Sequence, residues 1–338
     1  MDYKDQLNSI YDQINDKFTI ISQSLYWNFG YVLKVKSKSS NRILKLKLYL
    51  DIFKQKSLIS SLYNELLIMN LTKRRNFEEI EYVLKSSPLN SKHLCLVQDP
   101  YVADLKSIIK SKQSITKEHV IFFIYCILLE LGSLHSLNVV HRNLNPENII
   151  VNCNEDFRII NYELACRVGS KFIAEFPEGF TEYCRIAPEV LENCPSLYLE
   201  SDIWTLGCLV MELFERKPFF SGDSKESVIQ SIQEVFKDET VKRTCIEKAL
   251  GKHGNDFENL VEKMLRLDPT ERPCIEEILR DQLFADIFGF EDILNYKNQK
   301  GVDDNLDFED WGYSKIKHFV FEKVEEINLA NEERYLIT

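Results

Sequence analysis

Several features that would place this 338-residue chain in a specialised class are missing. There is no Cys-x-x-Cys pair, and the nine cysteines are odd in number and scattered. That argues against a zinc knuckle or a disulfide framework and for a reducing compartment. There is no excess of basic residues: the formal charge is −11, so no nucleic-acid partner and no anionic-membrane footprint are expected. No charged-then-apolar leader opens the chain, and no signal peptide is expected. The longest apolar run, Val120 to Leu129, is too short to cross a bilayer and reads as a buried core helix. No internal repeat is visible. What remains is a globular chain, 44% apolar, long enough for one large domain or two modest lobes. The expected location is the cytoplasm, with the nucleus as the alternative.

The pattern along the chain changes once. Phe18 to Ser22, Tyr31 to Lys36 and Arg42 to Leu48 read as short strands separated by polar punctuation. Leu62, Leu66 and Met69 give a helical spacing over Leu58 to Leu71, and Leu94 to Val97 is a further strand. From Thr116, a candidate N-cap, the chain turns helical. Ile149 to Val151 and Phe157 to Ile160 form a small hairpin around the turn Asn152 to Asp156. Ser201 to Phe214 is apolar nearly all round, the mark of a buried helix. The expected fold class is α+β and bilobal. A strand-rich lobe over 1–98 (a sheet plus one helix) precedes a hinge over 99–104 and a helix-rich lobe over 105–290, with a cleft at the join. Residues 291–338 are read as an acidic linker and an amphipathic C-terminal helix packing back on the body.

Four motifs then fall in one order. They are His141-Arg142-Asn143-Leu144-Asn145-Pro146-Glu147-Asn148, Ala187-Pro188-Glu189, Ser201-Asp202-Ile203-Trp204-Thr205-Leu206-Gly207, and Asp268-Pro269-Thr270-Glu271-Arg272-Pro273. Together they resemble the catalytic loop and the fold-bearing motifs of protein kinases, over roughly residues 15 to 290. Thr181-Glu182-Tyr183 and the C-terminal run Lys315 to Glu322 resemble the mitogen-activated protein kinases within that family. The resemblance implies ATP, a divalent metal and transfer of a phosphoryl group to protein.

The residues that such chemistry needs are the ones replaced. The position of the proton-accepting aspartate is Asn143, an amide that accepts no proton at neutral pH. The catalytic-loop lysine is Asn145. The metal-binding aspartate is Asn161, in Asn161-Tyr162-Glu163, and hard cations want anionic oxygen. In the glycine-rich loop, two glycines are Leu25 and Trp27, and only Gly30 remains. Glu163 is the one nearby acid, at a spacing unlike the family's. What survives is Lys47, which the resemblance pairs with Glu65, with Lys45 as a rival. Asn148 stands at the family's metal-binding asparagine. The nucleotide set, if a nucleotide binds, is Gly30, Val32, Lys47, Glu65, Asp99, Tyr101 and Asn148. His141, Tyr162, Glu189, Asp202 and Arg272 match positions that bear the fold. The reading is a pseudokinase with no functional catalytic residue and no metal, whose partners are signalling proteins. A sensor of ATP without metal and a low-rate serine/threonine kinase are the alternatives.

Thr181 and Tyr183 are candidate phosphoacceptors, with Arg142 as receiver of the new charge. Only Cys184, Arg185 and Ile186 separate Tyr183 from Ala187, fewer residues than in the mitogen-activated kinases, so ordinary peptide docking is not expected. The acidic run Asp303, Asp304, Asp307, Glu309 and Asp310, beside Phe308 and Trp311, is read as a solvated linker or a site for a basic peptide.

Overall fold

The computed structural model describes residues 3–26, 30–52, 56–71, 93–98, 101, 103–151, 157–170, 173, 175–177, 180–194, 196–251 and 253–285. The chain divides between Pro100 and Tyr101 into two compact units, the described part of 175–179 belonging with the first. The expectations for Trp27, Asp99, the turn 152–156, the acidic run with Phe308 and Trp311, and the C-terminal helix lie outside the described residues.

The first unit opens with helix α1, Tyr3–Lys17, followed by strands β1 (Phe18–Tyr26), β2 (Gly30–Ser37) and β3 (Ile43–Tyr49), helix α2 (Lys56–Leu71) and strand β4 (Leu94–Gln98). The strands form one antiparallel sheet in the order β1-β2-β3-β4. Period-two alternation explains its two faces. Leu33 and Val35 of β2, Leu44, Leu46 and Leu48 of β3, and Cys95 and Val97 of β4 line one face. Ile14 and Phe18 bury themselves on it. The register agrees: Leu33 faces Leu46 and Val35 faces Leu44, while Leu46 faces Val97 and Leu48 faces Cys95. The opposite face carries Lys45, Lys47 and Tyr49. α1 is a correction to the expected single helix. Its apolar side, Ile10, Tyr11 and Ile14, is too sparse to stand out among polar neighbours, although the spacing is helical.

The second unit contains strand β5 (Ala103–Asp104), helices α3 (Leu105–Lys110) and α4 (Lys117–Ser136), strand β6 (Val139–Val140), a 3-10 turn over Pro146–Asn148, and strands β7 (Ile149–Val151), β8 (Phe157–Ile159) and β9 (Cys166–Arg167). A 3-10 turn over Tyr183–Arg185 leads to α5 (Pro188–Leu191), α6 (Glu200–Glu215), α7 (Lys225–Val235), α8 (Glu239–Leu250), α9 (Asn255–Met264), α10 (Ile275–Leu279) and α11 (Gln282–Ala285). Thr116 caps α4, its hydroxyl accepting from the His119 N–H while the His119 ring accepts from the Thr116 N–H. At 20 residues α4 is longer than its central apolar run suggests and has the length and hydropathy of a membrane span. Ten of its residues are nevertheless buried in the unit, as befits a core helix. α6 is buried from Ser201 through Leu213. The β7–β8 hairpin pairs Ile149 with Ile159 and Val151 with Phe157.

Candidate functional site

On the face of β3 opposite the apolar cluster, Lys47 and Tyr49 stand two residues apart and therefore point the same way. Both reach Glu65 of α2. The Lys47 ammonium donates to Glu65 Oε1 and the Tyr49 hydroxyl donates to Oε2. Lys47 and Glu65 are wholly buried. Removing either charge would strand the other in an apolar interior. Tyr49 is a partner that the sequence reading missed; the available signal was its shared strand face with Lys47. Lys45 is half-buried, opposite Lys34. Val32 is the cross-strand neighbour of Lys47. Gly30 has φ 144°, and a Cβ there would lie 2.0 Å from the Leu48 carbonyl oxygen. This glycine therefore serves the close approach of β2 to β3. Leu25, at a lost glycine, is 72% exposed. Tyr101 is half-buried at the start of the second unit.

The motif 141–148 is held from behind by Asp202 of α6. Its Oδ2 accepts from the His141 N–H at 2.7 Å and its Oδ1 from the Arg142 N–H at 2.9 Å. This grip keeps Arg142 in the left-handed region at φ 63°, which a long side chain seldom adopts. His141 is buried, which lowers its pKa and keeps the ring neutral. Its Nε2–H donates to the Ile160 carbonyl and its Nδ1 accepts from the Asn143 N–H. Tyr162 meets the His141 ring edge-on, centroids 5.6 Å apart. The Arg142 guanidinium donates to the Leu164 carbonyl at 3.0 Å.

Four asparagines lie within this frame, and their amides form one connected set. The backbone fixes which way each amide faces. Asn145 Oδ1 accepts from the N–H groups of Glu147 and Asn148, capping the 3-10 turn, so Asn145 Nδ2 faces Asn143 and donates to its Oδ1 at 3.1 Å. Asn148 Nδ2 donates to the Asn143 carbonyl at 2.8 Å, which turns Asn148 Oδ1 the other way. There it accepts from Asn161 Nδ2 at 2.6 Å. Asn161 has φ 67°, a conformation asparagine tolerates well. Two atoms end the set without a partner, Asn143 Nδ2 and Asn161 Oδ1. Asn143 is 1% exposed.

Charge is missing where the resemblance requires it. The site's acids are otherwise engaged or neutral. Asp202 holds backbone, and Glu147 pairs with Lys106. Burial pushes the Glu163 carboxyl up to about 8, so it is uncharged at neutral pH. Among the described residues no group of three or more His, Cys, Asp or Glu side chains converges for a metal ion. The side chains here do not fit magnesium, which takes carboxylate and phosphate oxygens.

The frame around the site is intact. Arg272 uses all five of its donors: two on the Glu189 carboxylate at 2.6 and 2.8 Å, and three on the carbonyls of Glu200, Arg266 and Leu267. Its guanidinium also lies 5.2 Å from the Trp204 ring centroid. Thr181 is exposed. Tyr183 is half-buried with its ring edge-on to Phe180 at 4.9 Å, and its pKa is raised by burial and then by Glu226. One cation adjoining this segment is Arg185. It makes a two-pronged pair with buried Glu212 of α6 at 2.5 and 2.7 Å and donates to Glu182 at 3.1 Å. The sequence reading missed this pair. Its signal was a lone glutamate inside a helix otherwise apolar all round.

Comparison with known proteins agrees with this frame. The family model for the protein kinase domain matches residues 28–284, well over half of the chain. Similar proteins include "Mitogen-activated protein kinase 2" of Arabidopsis thaliana, 28% identical over 300 residues that cover 82% of this chain and 79% of that protein. "Mitogen-activated protein kinase 1" of Oryza sativa subsp. japonica is 28% identical over 293 residues, 78% of this chain and 71% of that protein. "Mitogen-activated protein kinase 6" of Arabidopsis thaliana is 28% identical over 316 residues, 85% and 76% respectively.

Proposed function

Because the chain belongs to the protein kinase family, we propose that it serves as a binding member of that family, a pseudokinase that acts as scaffold or allosteric partner for a signalling protein. The observation that carries this reading is the hydrogen bond from Asn161 Nδ2 to Asn148 Oδ1. An amide N–H takes one lone pair of the oxygen that a metal ion would need and stands where a carboxylate ligand would be. Neither Asn143 nor Asn161 supplies a carboxylate. A positioned general base contributes about two to four powers of ten in rate, and a metal contributes several kcal/mol of charge stabilisation. The contributions are not additive, yet losing both leaves little turnover. Glu163 does not replace them as the base of a low-rate serine/threonine kinase, since burial keeps it protonated near pH 7.

One observation favours a second reading, a sensor of ATP without metal. The buried Lys47–Glu65 pair is present, and the neutral asparagine set does not repel phosphate. The test for both is thermal unfolding with ATP, in magnesium and in chelator. A ligand at a hundred times its dissociation constant adds about 2.7 kcal/mol, a shift of several degrees at roughly 2–4 °C per kcal/mol. The proposal expects no magnesium-dependent shift. An equal shift in both conditions, abolished by Lys47→Met, selects the sensor. A shift only with magnesium overturns both readings and returns the chain to the enzymes.

A further inference from the structure

Within the second unit, α4, the start of α6 and the start of α10 line a half-open cavity of about 310 Å³. That is the lower end of ligand-pocket size, roughly 300–1,000 Å³, so it suits a small ligand and not a nucleotide. Ile203 and Ile275 contribute apolar lining, and Glu200, Glu276 and His135 contribute polar groups. No lysine or arginine is among the lining residues. The backbone carbonyl of Glu200 is taken by Arg272, but its half-buried carboxylate has no ion-pair or hydrogen-bond partner among the described residues.

We propose that this cavity binds an organic cation, the guanidinium or ammonium head of a short aliphatic chain. The head sits against the carboxylate of Glu200, with Glu276, already bonded to the Cys274 thiol, adding negative charge nearby, and the methylenes sit against Ile203 and Ile275. Charge complementarity selects the head, and the apolar lining selects an alkyl stem over a hydrated metal ion. The site also has a route to the asparagine loop. His135 lines the cavity, and its Nε2 meets Asp202 Oδ2 at 3.1 Å. The same Asp202 holds the N–H groups of His141 and Arg142. An occupant is thus one side chain away from the residue that sets the loop's backbone. The inference is independent of whether the loop transfers phosphate.

Cys274, half-buried in the lining, supplies the reporter. The full-length protein is labelled with the neutral reagent methyl methanethiosulfonate, and the rate at Cys274 is read by peptide mass mapping against Cys245. n-Butylguanidinium at ten times its dissociation constant is expected to slow Cys274 about tenfold. n-Butylsulfonate, of the same length and opposite charge, is expected to leave it unchanged. Glu200→Gln, whose altered group makes no bond in the fold, removes the protection. Ser136→Arg, which places a cation at the cavity wall, does the same by a second route. An arginine-containing pentapeptide amide that protects at lower concentration than n-butylguanidinium assigns the cation to a partner protein; the reverse order assigns it to a free amine or guanidine. Melting temperatures on the same samples read binding independently of labelling. No protection and no thermal shift with either cationic probe overturns the proposal, as does equal protection by the sulfonate.

Discussion

At the scale of single residues, the difference between an amide and a carboxylate decides which bonds this site makes. Asn161 and Asn143 preserve the shape that aspartate would have and exchange a negative oxygen for a donor. At 161 the exchange supplies the N–H that Asn148 Oδ1 accepts, a bond that a carboxylate could not make. Glu163 makes the complementary point, an acid present but buried. Burial raises its pKa from 4.5 to about 8, with its own backbone N–H pulling weakly the other way. Below the lower value the carboxyl is protonated whether or not the chain is folded. Between the two values the unfolded chain releases the proton and the fold retains it. The folded state then binds more protons, so stability falls as pH rises, by at most ~1.4 kcal/mol per pH unit for one group. Above about 8 the fold carries the full cost of a buried charge. Glu163→Gln removes this dependence, and its stability relative to the parent should rise steadily from about pH 5 to about pH 8 in urea unfolding. A difference that stays flat across that range would mean that the carboxyl is already ionised in the fold.

At the scale of elements, what could be read from the sequence depended on how strongly a pattern repeats. The strands β2 and β3 and helices α4 and α6 were legible because their apolar residues recur at period two or fill a helix. The Lys47–Glu65 assignment followed from the resemblance, and strand alternation put Lys45 and Lys47 on one face. The identities of Asn143, Asn145 and Asn161 were plain, but their connection was not. A hydrogen bond between Asn161 and Asn148 depends on how the β7–β8 hairpin returns the chain, and no local pattern encodes that. α1 was missed because only a narrow apolar stripe marks it. One residue of that stripe is nonetheless deeply buried: Ile14 is fully covered on the sheet face of Leu33, Val35, Leu44 and Leu46. Truncating a buried isoleucine to alanine costs about 2–5 kcal/mol through lost transfer energy and a residual cavity. Ile14→Ala should lower the urea midpoint by a corresponding amount with an unchanged m-value. A loss under ~0.5 kcal/mol, typical of a surface change, would mean that α1 does not cover the sheet in solution.

At the scale of the whole molecule, buried ion pairs hold the loops of the second unit to one central helix. Two guanidinium–carboxylate pairs tie loops to α6 in the second unit: Arg272 with Glu189, which also receives the Ser201 hydroxyl, and Arg185 with Glu212. α6 thereby organises the loop at 141–148 through Asp202 and the Thr181–Tyr183 segment through Glu212. The second tie is a buried charge inside an apolar helix, and its energetics have a definite signature. Removing one partner of such a pair strands the other, at about 3–5 kcal/mol, whereas replacing both with apolar side chains of similar volume is often neutral. Arg185→Met should therefore destabilise by about 3–5 kcal/mol, and adding Glu212→Leu should recover most of that loss. Glu182 lies 3.1 Å from Arg185 but is one-third exposed, so it contributes little to the cycle. If the double variant is no more stable than Arg185→Met alone, the guanidinium acts through its packing and not through its pairing with Glu212. If stability returns while binding of a signalling partner does not, the pair is kept to shape the segment at Thr181–Tyr183, as the proposed binding role requires.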